Sequence, residues 1–208
     1  MGVLMPNSIF FHVPKTGGTW VTTVLENTVP GAEKLHIDYE NKLNLRRQHV
    51  YPSKVPRKVR GSKLLFCFVR NPYEWYRSFW SYRVPAGWDL GHENENINPS
   101  VVDVRCGNKD FNEFVLNCVK VFPKGLLTTI YKKYVDHVHF VGRQESLRED
   151  LVKILSSAGE TFDYKYIMGK GKLNESSANY KVNSVYLDET KERLYENEKW
   201  VFERFVYN

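Results

Sequence analysis

Phe10-Phe11-His12-Val13-Pro14-Lys15-Thr16-Gly17-Gly18-Thr19-Trp20 is the stretch from which the architecture is read. The run from Ser8 to Val13 is apolar and has the length of a short buried strand. Gly17 and Gly18 mark a turn, and from Thr19 the chain turns helical. A strand, a glycine turn and a helix start aim several backbone N–H groups at one point, where the helix end adds partial positive charge. Lys15 brings a full charge, Thr16 and Thr19 bring hydroxyls, and the two glycines let a ligand approach the backbone. The chemistry is that of a cradle for a phosphate or sulfate group.

The bulk of the chain agrees with an anion binder. Its 208 residues suffice for one α/β domain with a sizeable core, and 42% hydrophobic with 14% aromatic residues is a globular composition. A net charge of +6 favours anionic ligands. Charge alone would also suit nucleic acid, but no helix-turn-helix, zinc-finger or ribonucleoprotein signature is present, so none is expected as partner. Cys67, Cys106 and Cys118 form neither a disulfide framework nor a metal-ligand spacing, so no metal is expected. The start Met-Gly-Val-Leu-Met-Pro lacks the basic-then-apolar pattern of a signal peptide, and Pro6 breaks the myristoylation pattern. No apolar run approaches the ~20 residues of a membrane span. A soluble, cytoplasmic chain without a membrane segment is the expectation; oligomeric state has no signal in the sequence.

Outward from the opening stretch, a first helix is expected from Thr19 to about Thr28, ended by Pro30-Gly31. Leu35 to Tyr39 alternates and reads as a short strand or extended loop; Asn41 to Lys63 reads as a basic connector with one short helix. Leu64 to Val69 is apolar throughout, as in a central parallel strand covered on both faces. Asn71 and Pro72 then form an N-cap and first helical position, and Trp75, Phe79 and Tyr82 form a core-facing stripe. Pro85 to Lys109 reads as one long loop. Helices follow at Phe111–Val121, with Phe111, Phe114, Val115 and Cys118 inward, and at Leu126–Val135. His137 to Val141 alternates as a strand closed by Gly142. Ser146-Leu147-Arg148-Glu149 is a capping box opening a helix that ends near Gly159. Thr161 to Ser184 is irregular, and one last helix starts near Asp188. The fold class is α/β, a mainly parallel central sheet flanked by helices.

Arg70 follows the central strand directly, and Ser78 lies two turns into the next helix. Ligands of open α/β sheets bind beyond the carboxyl ends of the strands, so the Lys15 loop and Arg70 can serve two ends of one bis-anionic ligand. Arg70 can grip a phosphate bidentately and Ser78 can donate a hydroxyl to it. Pro14-Lys15-Thr16-Gly17-Gly18-Thr19 resembles the 5′-phosphosulfate loop of the sulfotransferases that use 3′-phosphoadenosine 5′-phosphosulfate (PAPS). Phe68-Val69-Arg70-Asn71-Pro72-Tyr73, with Ser78 five positions on, resembles their 3′-phosphate motif. The order of the two motifs matches as well. Resemblance extends to Phe140-Val141-Gly142-Arg143-Gln144-Glu145-Ser146-Leu147 and to the final helix, and is closer to glycan-type and bacterial members than to the cytosolic phenol and steroid enzymes.

The resemblance implies a single sulfotransferase domain over 1–208, with a P-loop-NTPase-like fold. It implies in-line transfer of a sulfuryl group from PAPS to a hydroxyl or amine of a small-molecule or glycan acceptor, leaving PAP and needing no metal. Cofactor contacts are then expected from Lys15, Thr16, Gly17, Gly18, Thr19, Arg70 and Ser78, with Trp20 either near adenine or in the core of the first helix. Lys170 to Ser177 resembles a late loop that closes over the nucleotide, which adds Lys172, Asn174 and Ser176. Lys15 and a general base are the expected catalytic groups; His36 is the first candidate base, with His49 and Glu26 as alternatives and a structural role for His12. The long loop, through Trp88, His92, Glu93 and Glu95, is the expected acceptor-reading element. Two other readings compete. A P-loop-type kinase would place its lysine after the last glycine, whereas Lys15 precedes both. An inactive nucleotide- or glycan-binding module would keep both motifs without a base.

Overall fold

Leu64–Val69 forms β4, with every residue after Leu64 buried. Its neighbour is β2, Ser8–Phe11, buried along its whole length. A computed structural model describes this architecture for residues 2–35, 49–88, 101–173 and 183–207. His36, His92, Glu93, Glu95, Asn174 and Ser176 lie outside the described residues. The chain divides into two compact units, Met1–Arg70 with Tyr131–Asn174, and Asn71–Ile130 with Glu175–Asn208.

The first unit holds a five-stranded sheet of order β3-β1-β2-β4-β5, with β1 at Val3–Leu4, β3 at Glu33–Lys34 and β5 at Phe140–Arg143. β2, β4 and β5 are mutually parallel, with Phe10 opposite Phe66 and Phe66 opposite Phe140. β1 pairs antiparallel with both β2 and β3. The sheet is therefore an open, mixed one, where the sequence reading expects it mainly parallel. The cause is local: β1 reaches β2 through a turn closed by the Met5 N–H on the Ser8 carbonyl (2.9 Å), and so short a connection permits only antiparallel pairing.

Alternation along β2 and β4 sends Phe10, Phe66 and Phe68 to one face. There they pack with Trp20, Val21, Val24 and Leu25 of α1 (Gly18–Thr28), with Leu151, Ile154 and Leu155 of α7 (Leu147–Ser157), and with Ile167 of α8 (Tyr164–Gly169). Cys67 points to the other face and is fully buried, a small core residue whose thiol is pushed far up by desolvation. The polar connector supplies a 3₁₀ turn at Pro52–Lys54 and the short α2, Arg57–Arg60.

Some boundaries differ from the sequence reading. β5 starts at Phe140 and contains Gly142, because the His139 N–H donates to the Leu65 carbonyl and its Nδ1 accepts from the Leu65 N–H, fixing the register one turn of the pleat later. The capping box at α7 does not form. Ser146 donates its hydroxyl to Asp150 (2.8 Å), and the same carboxylate accepts from the Arg143 N–H (2.8 Å). α8 interrupts the stretch expected to be irregular and is capped by Asp163.

The second unit is helical. α3, Pro72–Arg83, starts as expected, with the Asn71 side chain accepting from the Tyr73 N–H. Its buried stripe is Trp75, Tyr76 and Trp80, whereas Tyr82 is 58% exposed; the stripe is rotated by one residue from the expected one. α4, Val101–Cys106, lies in the stretch expected to be loop, with Asp103 in a buried ion pair to Arg83 (2.8 Å). Trp88 is buried rather than presented to an acceptor; its indole N–H and that of Trp80 both donate to the Asn108 carbonyl, each at 3.0 Å. α5, Phe111–Val121, buries the four residues read as inward. α6 is Leu126–Val135. The last helix is two, α9 (Asp188–Asn197) and α10 (Lys199–Phe205), broken at Glu198. That fully buried carboxylate accepts from the Tyr76 hydroxyl, the Leu127 and Thr128 N–H groups and the Thr128 hydroxyl at 2.7–2.8 Å, while burial raises its pKa.

Candidate anion-binding site

The segment between β2 and α1 owes its shape to two left-handed residues. Gly17 has φ +82° and is the N-cap of α1; Lys15 has φ +64°, a region a non-glycine residue occupies at some cost. Such an alternation folds successive N–H groups around a concavity. Helix geometry leaves the N–H groups of Gly18, Thr19 and Trp20 without an intrahelical acceptor, since the first helical bond runs from the Val21 N–H to the Gly17 carbonyl. Gly18 has no room for a side chain, because a Cβ there would lie 1.9 Å from Cδ2 of the His12 ring. That ring is held between Phe10 (centroids 6.2 Å apart) and His49 (5.0 Å).

The two threonines have different parts. Thr16 is fully buried and its hydroxyl donates to the Val13 carbonyl (2.9 Å), so its side chain braces the loop from inside rather than facing a ligand. Thr19 is exposed in the first turn of α1.

Arg70, one residue past β4, reaches across to the loop: its Nη1–H donates to the Lys15 carbonyl at 3.3 Å. Its backbone is fixed by Tyr131, whose hydroxyl accepts from the Arg70 N–H (2.8 Å) and donates to the Arg70 carbonyl (3.0 Å). The Lys15 loop and Arg70 thus meet at the carboxyl ends of adjacent parallel strands. Lys15 has its pKa lowered to about 8, first by desolvation and then by the Arg70 charge. The negative charge of a bound anion would oppose this lowering. Ser78 lies on α3 in the second unit, half-buried.

Of the histidines, His12 is held neutral, its pKa lowered to about 2 by burial first and by neighbouring positive charge that includes His49 and Lys15. His49 stands beside it, with Nδ1 3.1 Å from the His12 carbonyl. A carbonyl can only accept, so Nδ1 carries the proton of the neutral ring and the lone pair sits on Nε2. Glu26 is exposed on α1.

The β5–α7 turn closes the loop's far side. A Cβ on Gly17 would lie 3.0 Å from Leu147 and 3.5 Å from Gln144. Next to Leu147, Arg148 sets its guanidinium over the Trp20 ring (5.8 Å) and donates to the Lys170 carbonyl (2.7 Å). Trp20 is 5% exposed and its indole N–H donates to the Gly171 carbonyl (3.0 Å). In the sequence Arg148 stands out only as part of the capping stretch Ser146–Glu149, with no role at this site. The signal that points to it is a cation in the first turn of a helix, where the macrodipole disfavours one. Lys172 is exposed just beyond this contact.

Among the described residues, no cluster of three or more His, Cys, Asp or Glu side chains could hold a metal ion, and no helix is long and apolar enough to cross a membrane. Comparison with protein-family models, with curated proteins and with solved structures returns no match.

Proposed function

We propose that this chain is a PAPS-dependent sulfotransferase. The observation that carries the reading is the tie between Arg70 and the Lys15 loop at the ends of β2 and β4, which joins the two stretches that resemble the 5′-phosphosulfate and 3′-phosphate motifs. The finer fold reading, a P-loop-NTPase-like sulfotransferase sheet, belongs to the same proposal and rests on the parallel run β2-β4-β5.

In this reading the N–H groups at the start of α1 and the Thr19 hydroxyl hold the 5′-phosphate. Arg70, joined on the resemblance by Ser78, serves the 3′-phosphate. The S–O bond to the 5′-phosphate breaks as a bond forms from sulfur to the acceptor oxygen or nitrogen, and PAP leaves. Lys15, with a pKa near 8, is mostly protonated at neutral pH and neutralises the charge that grows on the bridging oxygen. The acceptor proton goes to a base. His36 keeps its candidacy from the sequence, and His49 gains support from its Nδ1 contact, which turns the unprotonated Nε2 away from the His12 carbonyl. The acceptor is a small molecule or glycan.

Thermal unfolding with PAP, and separately with ATP and Mg²⁺, tests the cofactor assignment. PAP at a hundredfold excess over its Kd should stabilise by ~2.7 kcal/mol without any divalent ion. A shift with ATP and Mg²⁺ but none with PAP would favour the kinase reading instead.

A further inference from the structure

Two successive carbonyls, those of Lys170 and Gly171, are held from two different helices. Arg148 at the start of α7 takes the first at 2.7 Å, and Trp20 in the first turn of α1 takes the second at 3.0 Å. The two holders are joined by the guanidinium lying over the indole ring at 5.8 Å. The chain arriving from α8 is pinned as well, with the Lys170 N–H on the Tyr166 carbonyl (2.9 Å) and the Lys170 ammonium over the Tyr166 ring (5.3 Å). Lys172 follows these two pinned peptide units directly and is exposed. Trp20 immediately follows Thr19 of the anion loop, and a Cβ on Gly17 of that loop would lie 3.0 Å from Leu147, the neighbour of Arg148.

We infer that Arg148 and Trp20 form a latch that sets the position of Lys172 relative to the Lys15–Thr19 loop, so that they act as positioning residues for the nucleotide. The inference rests on the PAPS reading above. Trp20 works here through its N–H and its packing, not as a platform for a base: at 5% exposure with Arg148 over the ring, its faces are taken. Arg148 in turn stands where a helix start repels a cation, and the Lys170 carbonyl and the indole face compensate for that repulsion. Fixing the peptide units just before Lys172 lowers the entropy lost when its ammonium meets a phosphate.

The test is amide hydrogen exchange combined with PAP titration on the full chain. Arg148→Ala should speed exchange at residues 170–173 while leaving β2 and β4 protected, and should weaken PAP roughly tenfold, the scale of one hydrogen bond to a charged group. Its effect on turnover should appear in the KM for PAPS more than in kcat. Arg148→Lys, which keeps a donor for the carbonyl, should restore part of the affinity. Lys172→Ala should cost less in the Arg148→Ala background than in the parent, since the lysine is then no longer positioned. Trp20→Phe keeps the ring and removes the N–H, and should reproduce the local exchange if Arg148→Ala proves unfolded. Unchanged PAP affinity in variants with loosened residues 170–173, or additive losses from Arg148→Ala and Lys172→Ala, would overturn the latch while leaving the cofactor assignment intact. A parent that does not bind PAP overturns the PAPS reading and the latch's role with it.

Discussion

Lys15→Met should make the protein more stable and less able to bind PAP. Lys15 carries its charge in a largely desolvated loop beside Arg70, which brings its pKa from the ordinary 10.5 down to about 8. Below pH 8 both folded and unfolded chains are protonated there, and the folded state bears the full penalty. Between pH 8 and 10.5 the unfolded chain binds more protons, so the parent gains stability as pH rises through that window. The gap, at about 1.36 kcal/mol per pH unit, bounds the penalty at ~3.4 kcal/mol; residual solvent contact reduces it to roughly 1–3 kcal/mol. Methionine is unbranched like lysine, so the left-handed backbone at this position is strained to a similar degree in both. Urea denaturation at pH 7, 8, 9 and 10 should show the variant more stable at pH 7 and the advantage shrinking towards pH 10, with unchanged m-values. A variant no more stable than the parent at pH 7, or an advantage independent of pH, would mean that the Lys15 charge carries no desolvation penalty in the folded state.

Gly18→Ala would set a methyl group against a His12 ring that is already enclosed by Phe10 and His49, and should destabilise by about 1–3 kcal/mol, with PAP binding lost; a melting temperature equal to the parent's would mean the ring moves freely. Arg70→Ala removes both a charge and the tie to the Lys15 carbonyl, and calorimetry should show PAP binding weakened by roughly 1.5–3 kcal/mol; unchanged affinity would reduce Arg70 to a strand-end residue. His49→Ala should keep PAP affinity and lose ~10²–10⁴ in turnover, and if it stays active while His36→Ala does not, the base is His36.

What could be read from the sequence was whatever a local pattern specifies. Leu64–Val69 is apolar at every position because both its faces are covered, and Asn71 caps α3 through a local bond, its side chain accepting from the Tyr73 N–H. α5 buries the four residues its periodicity selects. The misses have tertiary causes. β1 and β3 are two residues each and exist only through their pairing; Glu33 and Lys34 are exposed charges with no strand pattern. β5 is displaced because the register with Leu65 outweighs the alternation of its own sequence. Tyr82 is exposed because α3 turns Tyr76 and Trp80 inward, and Trp88 is buried because Asn108 accepts from it across twenty positions of chain. At the candidate site, the position of Lys15 and Arg70 just after two strands pointed to the carboxyl edge of one sheet. It did not reveal that Thr16 spends its hydroxyl on Val13, or that Arg148 reaches Trp20 from a helix more than a hundred residues away in sequence.

On the proposed function, a sulfuryl group leaves PAPS at the Lys15 loop. Incubating the protein with ³⁵S-labelled PAPS and a panel of glycan, phenol and amine acceptors measures this directly. Label is expected on at least one acceptor with one PAP formed per label transferred, and that transfer should fall in Lys15→Ala by on the order of 10²-fold or more while some PAP binding remains. Label that stays in PAPS across the whole panel, from a protein that binds PAP, would contradict it and leave a nucleotide-binding module without transferase activity.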